Sequence, residues 1–125
     1  YKSSQEEIRT VAKTADLKRA AETIRRHGVK IVIVTRGTQG ALLLFDNTFY
    51  DVSPCKSRVV LDPTGAGDAF IGAFLAEYIQ RQDPLWCACV GSASASFIVE
   101  GLGPQRFGER EETYARAREI YEKIT

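Results

Sequence analysis

Four consecutive β-branched residues, Ile31-Val32-Ile33-Val34, form the segment that most restricts the fold of this chain. An unbroken run of this kind is typical of a strand buried on both faces, as at the centre of a parallel sheet. A helix is predicted just before it, over 17–27, with Asp16 as N-cap and Gly28 as C-terminal stop. Its apolar residues recur at helical spacing: Leu17, Ala20, Ala21 and Ile24. Helices that alternate with apolar strands indicate an α/β fold.

Local signals predict the remaining elements, and Tyr1 is expected to lead straight into the first helix. In chain order the elements are a helix over 5–12 opened by a Ser4/Glu7 capping box, strands over 41–45 and 48–52 joined as a hairpin, a helix entered at Asp68, a helix rich in small residues from Pro84, and a last helix over 109–123. The helix entered at Asp68 carries apolar side chains that are expected on one buried face: Phe70, Ile71, Phe74, Leu75, Tyr78 and Ile79. The small residues of the next helix predict close packing against a neighbour.

Composition and charge exclude several classes of protein. The 125 residues suit one domain or a piece of a larger one, and Tyr1 at the start favours a piece. With 17 basic and 16 acidic residues the net charge is +1, which does not favour a nucleic-acid binder. No apolar stretch approaches the ~20 residues of a membrane helix. Three cysteines without a C-x-x-C spacing, and a single histidine, favour reduced thiols in a cytoplasmic protein over a metal site.

The glycine-containing loop over 62–68 carries the clearest chemical signal. Gly65 and Gly67 permit a sharp turn into the following helix, which leaves the amides of Gly65, Ala66 and Gly67 pointing outward. Free amides at a helix N-terminus bind anions. Asp68 then falls in the first helical turn, where it either stabilises the helix start by ~0.3–1 kcal/mol or acts as a base beside the anion site.

Two other glycine motifs fit this loop less well. A phosphate-binding Walker A loop requires a lysine after its last glycine, and none follows Gly67. A dinucleotide-binding fingerprint requires a third glycine where this chain has Phe70, together with an acidic residue at the end of a following strand. A dinucleotide-binding half-domain therefore stays a weak alternative.

Three segments together resemble the PfkB, or ribokinase-like, carbohydrate and nucleoside kinases. Residues 62–70, Asp-Pro-Thr-Gly-Ala-Gly-Asp-Ala-Phe, resemble the second signature of that family, and 35–40 resemble its T-x-G-x-x-G turn. Residues 95–103 resemble the segment near the adenine and a monovalent cation. The resemblance implies that 1–125 is the C-terminal ATP-binding and catalytic portion of a three-layer α/β/α fold with a mostly parallel sheet. The N-terminal half, which supplies the acceptor-binding residues and the lid, would be absent.

The resemblance also implies an activity and residue roles. The activity is transfer of the ATP γ-phosphate to an alcohol group of a small sugar or nucleoside, with Asp68 as the base and the amides of Gly65, Ala66 and Gly67 as the anion hole. The nucleotide-binding residues would be Thr35, Gly37 and Gly40 along the ATP phosphates and ribose, with Ser92 beside the adenine. The alternative for the glycine turn is a tight connection between two strands.

Metal sites follow from the resemblance as well. The residues that match a potassium site of many members are Asp62, Thr64, Ile98, Gly101 and Gly103. A plain helix stop explains the last two glycines equally well. Glu7 falls where the family carries an N-x-x-E motif that organises Mg²⁺, but Ser4 replaces the asparagine, and the capping box explains Glu7 as well.

The expected partners are a small-molecule acceptor and a second copy of the chain, with no nucleic acid and no membrane. Without the N-terminal half, the strand over 31–34 is expected to lie at an unpaired apolar edge that favours association. On its own the chain is expected to be almost inactive, because nothing positions the acceptor. A mild preference for nucleosides over sugars rests on Pro63 and on residues 95–100. The competing hypothesis is a non-catalytic fragment that binds a nucleotide or a partner protein.

Overall fold

The computed structural model describes residues 1–54, 65–99 and 110–124, except for the side chains of 38, 98, 99 and 110. The chain divides into two compact units, Tyr1–Asp51 and Val52–Thr125. The elements in chain order are β1 (Lys2–Ser4), α1 (Gln5–Ala12), α2 (Leu17–Arg26), β2 (Ile31–Thr35), a 3₁₀ turn (Gly37–Gln39), β3 (Ala41–Phe45), β4 (Thr48–Val52), α3 (Ala66–Ile79), α4 (Pro84–Val99) and α5 (Arg110–Ile124). Cys55 lies outside the described residues.

The four described strands form one sheet in the order β1-β2-β3-β4. β1 runs parallel to β2, with Lys2 opposite Ile33, and β2 runs antiparallel to β3, with Ile31 opposite Phe45. The strand over 31–34 is therefore internal to the sheet, and the prediction of an unpaired edge at this strand is wrong. The direct entry of Tyr1 into a helix is also wrong, because β1 comes first. Its polar sequence Lys-Ser-Ser gives no strand pattern, and only pairing with β2 makes it a strand.

The connection between β3 and β4 confirms the predicted hairpin. Asp46 and Asn47 adopt φ values of 50° and 58°, the left-handed conformation at both central positions that a type I′ turn requires. Asn and Asp tolerate this conformation better than most residues. A two-residue connection between neighbouring strands makes β3 and β4 antiparallel.

The first unit has a core formed by α1, α2 and the sheet. The stripe predicted for α2 faces this core, which contains Ile8, Ala20, Ala21, Ile24, Val32, Val34, Leu42 and Leu44. α2 begins at Asp16, whose carboxylate accepts hydrogen bonds from the Lys18 and Arg19 amides at 3.1 and 3.4 Å. It ends at His27 and Gly28, and the φ of 100° at this glycine marks the predicted stop.

Close packing of α3 against α4 dominates the second unit. Gly91 lies so near α3 that a Cβ atom there would be 2.8 Å from the Phe70 carbonyl oxygen. The predicted role of the small α4 residues is thus confirmed. Their buried members include Ala88, Ser92, Ala93, Ser94 and Ser96.

The predicted buried face of α3 is wrong in part. Phe70 and Phe74 are buried, whereas Leu75, Tyr78 and Ile79 are 48%, 42% and 80% exposed. α3 is apolar nearly all round, so its periodicity does not indicate which side packs. The buried side includes a carboxylate, Glu77, which accepts a hydrogen bond from the Tyr114 hydroxyl of α5.

Burial in α4 and α5 follows the sequence more closely. Cys87 and Cys89 are buried and form no disulfide among the described residues, in line with the predicted reduced thiols. Burial, with the nearby Glu77 carboxylate, raises the pKa of Cys87 to about 11. In α5 the buried side chains include Ala117 and Ile120. Among the helices described, none has the length and apolar character needed to cross a membrane.

Candidate functional site

The N-terminus of α3 carries the candidate site. Gly65 is the N-cap, with a φ of 87° that a residue with a side chain adopts only under strain, and it offers no side-chain cap. The first backward hydrogen bond of the helix runs from the Ala69 amide to the Gly65 carbonyl, at 2.9 Å. The amides of Ala66, Gly67 and Asp68 thus precede the helical ladder and find no acceptor within the described ranges.

The predicted anion site stays a prediction. The sequence predicts that the amides of Gly65, Ala66 and Gly67 point outward, and the start of α3 leaves the amides of Ala66, Gly67 and Asp68 without a partner inside the helix. The partial positive charge of the helix N-terminus adds to their attraction for an anion.

Asp68 is the third residue of α3, and its side chain is exposed. It is not turned into the protein interior, and no hydrogen bond to its carboxylate occurs within the described part of the chain. A carboxylate at such a helix start can accept the proton of a hydroxyl group that attacks a second molecule. The neighbouring amides can bind a negatively charged group of that second molecule.

The predicted nucleotide turn connects β2 to β3 in the first unit. The Arg36 amide donates to the Gly40 carbonyl at 2.8 Å, and the Gln39 amide donates to the Arg36 carbonyl at 3.0 Å. Gly37 and Gly40 adopt φ values of 57° and 89°, so the tight turn itself requires both glycines. The Thr35 hydroxyl donates to the Ser3 carbonyl of β1 at 3.4 Å.

One ion pair at this turn escapes prediction from the sequence. Arg36 pairs with Asp51 of β4, and no spacing rule connects two residues that far apart in the chain. The only sequence signal is an arginine inside the turn motif and an acidic residue at the end of the hairpin.

Ser92 occupies a buried position in α4. Its hydroxyl donates to the Ser53 carbonyl at 2.9 Å, so it ties α4 to the segment that follows β4. The role predicted for Ser92 beside the adenine stays a prediction.

Most of the predicted potassium ligands, namely Asp62, Thr64, Gly101 and Gly103, lie outside the described residues. Ile98 lies in the last turn of α4, where backbone carbonyls lack helical partners and carry the negative end of the helix dipole. That environment suits a cation.

Glu7 forms the predicted capping box. Its Oε1 accepts the Ser4 amide at 2.9 Å, while the Ser4 hydroxyl accepts the Glu7 amide at 3.2 Å. These hydrogen bonds hold the pKa of Glu7 below its usual value. No described residue donates a hydrogen bond to the second carboxylate oxygen, so the capping role does not conflict with the predicted magnesium role. Among the side chains described, no three acidic, histidine or cysteine residues cluster as a metal site would need.

Comparison with known proteins places these features in context. The model of the pfkB family carbohydrate kinases matches residues 2–111. A nucleoside kinase of Methanocaldococcus jannaschii is 38% identical over 77 residues, which cover 62% of this chain and 26% of that protein. A cytidine kinase of Thermococcus kodakarensis is 33% identical over 102 residues, which cover 80% of this chain and 36% of that protein. The chain thus matches only about a quarter to a third of the length of these curated relatives.

Comparison of the fold with solved structures shows the same similarity. The ribokinase of Thermotoga maritima superposes with a TM-score of 0.81 at 32% identity, over 94% of this chain and 41% of that structure. The predicted α/β fold of ribokinase type is thereby confirmed.

Proposed function

Because the chain belongs to the pfkB family of carbohydrate kinases, we propose that it forms the C-terminal ATP-binding and catalytic portion of a kinase that phosphorylates an alcohol group of a small molecule. The observation that carries the proposal is the start of α3. It combines a glycine N-cap, amides of Ala66, Gly67 and Asp68 that have no acceptor among the described residues, and the exposed carboxylate of Asp68.

The proposed reaction uses these groups in one step. The hydroxyl oxygen of the acceptor attacks the γ-phosphorus of ATP while Asp68 accepts the proton of that hydroxyl. ADP leaves with the electrons of the broken P–O bond. The amides at the start of α3 hold the oxygens of the transferred phosphoryl group. Mg²⁺, when bound, neutralises charge on the phosphates, and Glu7 is proposed to help hold it.

Magnitudes favour a catalytic over a merely structural role for this helix start. An acidic side chain in the first turn stabilises a helix by about 0.3–1 kcal/mol. One preorganised donor in an oxyanion hole lowers a barrier by about 2.7–4 kcal/mol. A glycine N-cap gives up side-chain capping, whereas free amides serve an anionic ligand directly.

The nucleotide and cation roles are part of the same proposal. Thr35, Gly37 and Gly40 contact the ATP phosphates and ribose, and Ser92 flanks the adenine. The proposed potassium ligands are Asp62, Thr64, Gly101, Gly103 and the backbone carbonyls near Ile98. We propose that this chain alone transfers phosphate very slowly, since positioning of an acceptor contributes about 7–11 kcal/mol.

The preferred acceptor is a nucleoside. Two of the relatives above are named as a nucleoside kinase and a cytidine kinase, and they are 38% and 33% identical to this chain. A sugar acceptor is the second candidate, because the Thermotoga maritima structure is a ribokinase.

Transfer of ³²P from γ-labelled ATP to a panel of nucleosides and sugars tests the proposal on the protein that carries this chain. A labelled nucleoside monophosphate is the expected product, with faster transfer in potassium than in sodium buffer. Binding of ATP without transfer to any acceptor would favour the non-catalytic, nucleotide-binding alternative. Equal rates in the two buffers would contradict the proposed potassium site and leave the rest of the proposal intact.

A further inference from the structure

Arg36 has more contacts in the turn between β2 and β3 than a surface arginine needs. Its amide and carbonyl both close the turn, through Gly40 at 2.8 Å and Gln39 at 3.0 Å. Its side chain pairs with Asp51 on β4 and brings Nη2 within 3.5 Å of the Gln39 carbonyl. One residue therefore connects the turn to the neighbouring strand by backbone and by side chain.

The burial of the two partners is unequal. The Arg36 side chain is 20% exposed, whereas that of Asp51 is 75% exposed. The Nε atom of Arg36 is buried and has no hydrogen-bond partner in the part of the chain that is described. Burial of a guanidinium group with an incompletely satisfied donor is unfavourable, so this placement is not explained by stability alone. An exposed ion pair also contributes little to folding, about 0–1 kcal/mol.

The Arg36–Asp51 ion pair restrains the conformation of the turn more than it stabilises the fold. Gly37 and Gly40 both have positive φ values, and glycine has the greatest backbone freedom of any residue. A turn with two such residues samples other conformations unless something outside it holds it. The Arg36–Asp51 pair supplies that hold from β4.

We propose that Arg36 is a positioning residue, which together with Asp51 fixes the β2–β3 turn in the conformation that receives the phosphates and ribose of the nucleotide. The inference rests on the proposed function. The pair acts on nucleotide affinity and takes no part in phosphoryl transfer, because neither residue belongs to the start of α3.

Steady-state kinetics on the protein that carries this chain test the role. Arg36→Ala is expected to raise the KM for ATP by about threefold to tenfold, the range of one lost charge-assisted contact. Asp51→Asn, at an exposed position, is expected to act in the same direction by less. The value of kcat and the KM for the acceptor should stay within about twofold of wild type, the size of an ordinary surface effect. Arg19→Ala is the matched control, because it removes an exposed positive charge from the same unit away from the turn.

Two further variants separate positioning from folding. Arg36→Lys keeps the ion pair but not the fork geometry, so an intermediate KM for ATP is expected. The exchanged pair, Arg36→Asp with Asp51→Arg, should recover part of the lost affinity. Hydrogen exchange at the Gln39 and Gly40 amides should be faster in Arg36→Ala than in Arg19→Ala, since these amides close the turn.

The outcomes are distinguishable. An unchanged KM for ATP in both Arg36→Ala and Asp51→Asn would overturn the positioning role, whatever the exchange rates show. A fall in kcat with unchanged KM for ATP would overturn it too. Absence of ATP binding in the wild-type protein would overturn the proposed function itself, and is recognised without any variant.

Discussion

Two helices of this chain begin in opposite ways. The N-cap of α1 is Ser4, and the third residue of the helix, Glu7, completes a reciprocal capping box with it. The N-cap of α3 is Gly65, which has no side chain to donate or accept, and the third residue of that helix is Asp68. Both helices thus carry an exposed carboxylate at the same helical position. In α1 it accepts a hydrogen bond from the Ser4 amide, whereas that of Asp68 has no hydrogen-bond partner within the described residues.

The difference separates a helix start that is stabilised by the chain itself from one whose amides are available to a ligand. In α1, the amides of Ser4 and Glu7 are satisfied by side chains of the same helix. In α3 the first amides find no acceptor within the described residues, which is the less stable way to begin a helix. A helix start left open in this way gains its stabilisation when an anion binds.

The largest expected effect comes from Asp68→Asn in the protein that carries this chain. The amide keeps the shape of the side chain but cannot accept the hydroxyl proton, so kcat is expected to fall by about 10²- to 10⁴-fold. The free energy of unfolding should change little, because the side chain is exposed. Turnover kinetics and urea unfolding measure the two quantities separately.

Glu112→Gln is the matched control for this variant. Glu112 is an exposed acid in the first turn of α5, so the change removes the same charge from a comparable helix start. Near-normal turnover in Asp68→Asn, or an equal loss in Glu112→Gln, would contradict the assignment of Asp68 as the base.

The stability of the protein also depends on the packing of α3 against α4. Gly91→Ala would place a Cβ atom 2.8 Å from the Phe70 carbonyl. Such overpacking is expected to destabilise the protein by about 1–3 kcal/mol. Gly72→Ala, in α3, adds the same methyl group where nothing lies within 4 Å. It should stabilise the protein by about 0.5–1 kcal/mol through helix propensity. Denaturant unfolding of both variants measures the contrast, and equal stabilities would disprove close α3–α4 contact.

Local sequence patterns predict the self-contained parts of this molecule. The capping box at Ser4 and the turn at Asp46-Asn47 depend on neighbouring residues only, so their signals are complete in the sequence. The glycine signal at the start of α3 is equally local: it predicts a sharp turn into the helix, and Gly65 is the N-cap with a positive φ.

Features that depend on distant partners could not be predicted. β1 is a strand only because β2 lies beside it. The packed side of α3 is set by α4 and α5, so Ile79 is exposed where the apolar pattern predicts burial. The Glu77–Tyr114 and Arg36–Asp51 pairs join elements that are far apart in the chain, and no periodicity connects their members.

A smaller effect is expected at the closed start of α1. Ser4→Ala removes the hydroxyl that accepts the Glu7 amide, which should lower the free energy of unfolding by about 1 kcal/mol. Thr10→Ala, within the same helix, removes a hydroxyl that only bonds back to the Glu6 carbonyl, and little or no loss is expected. Urea unfolding of the two variants gives the comparison, and a larger loss in Thr10→Ala would show that the cap is not the stabilising contact.

The smallest effect is the pH dependence of the same cap. Hydrogen bonds from Ser4 lower the pKa of Glu7 in the folded protein below its ordinary value of 4.5. As pH falls, the unfolded chain therefore takes up this proton at a higher pH than the folded protein does. The stabilisation is complete above the unfolded pKa and is lost as pH falls through the folded pKa. Between pH 6 and pH 3, a window of about three units set by the acid range of carboxyl groups, wild type should lose more stability than Glu7→Gln. Glu6→Gln, at the exposed neighbouring acid, should follow wild type. If Glu7→Gln lost stability as steeply as wild type, the carboxylate would not stabilise the start of α1, and the contrast with Asp68 would not hold.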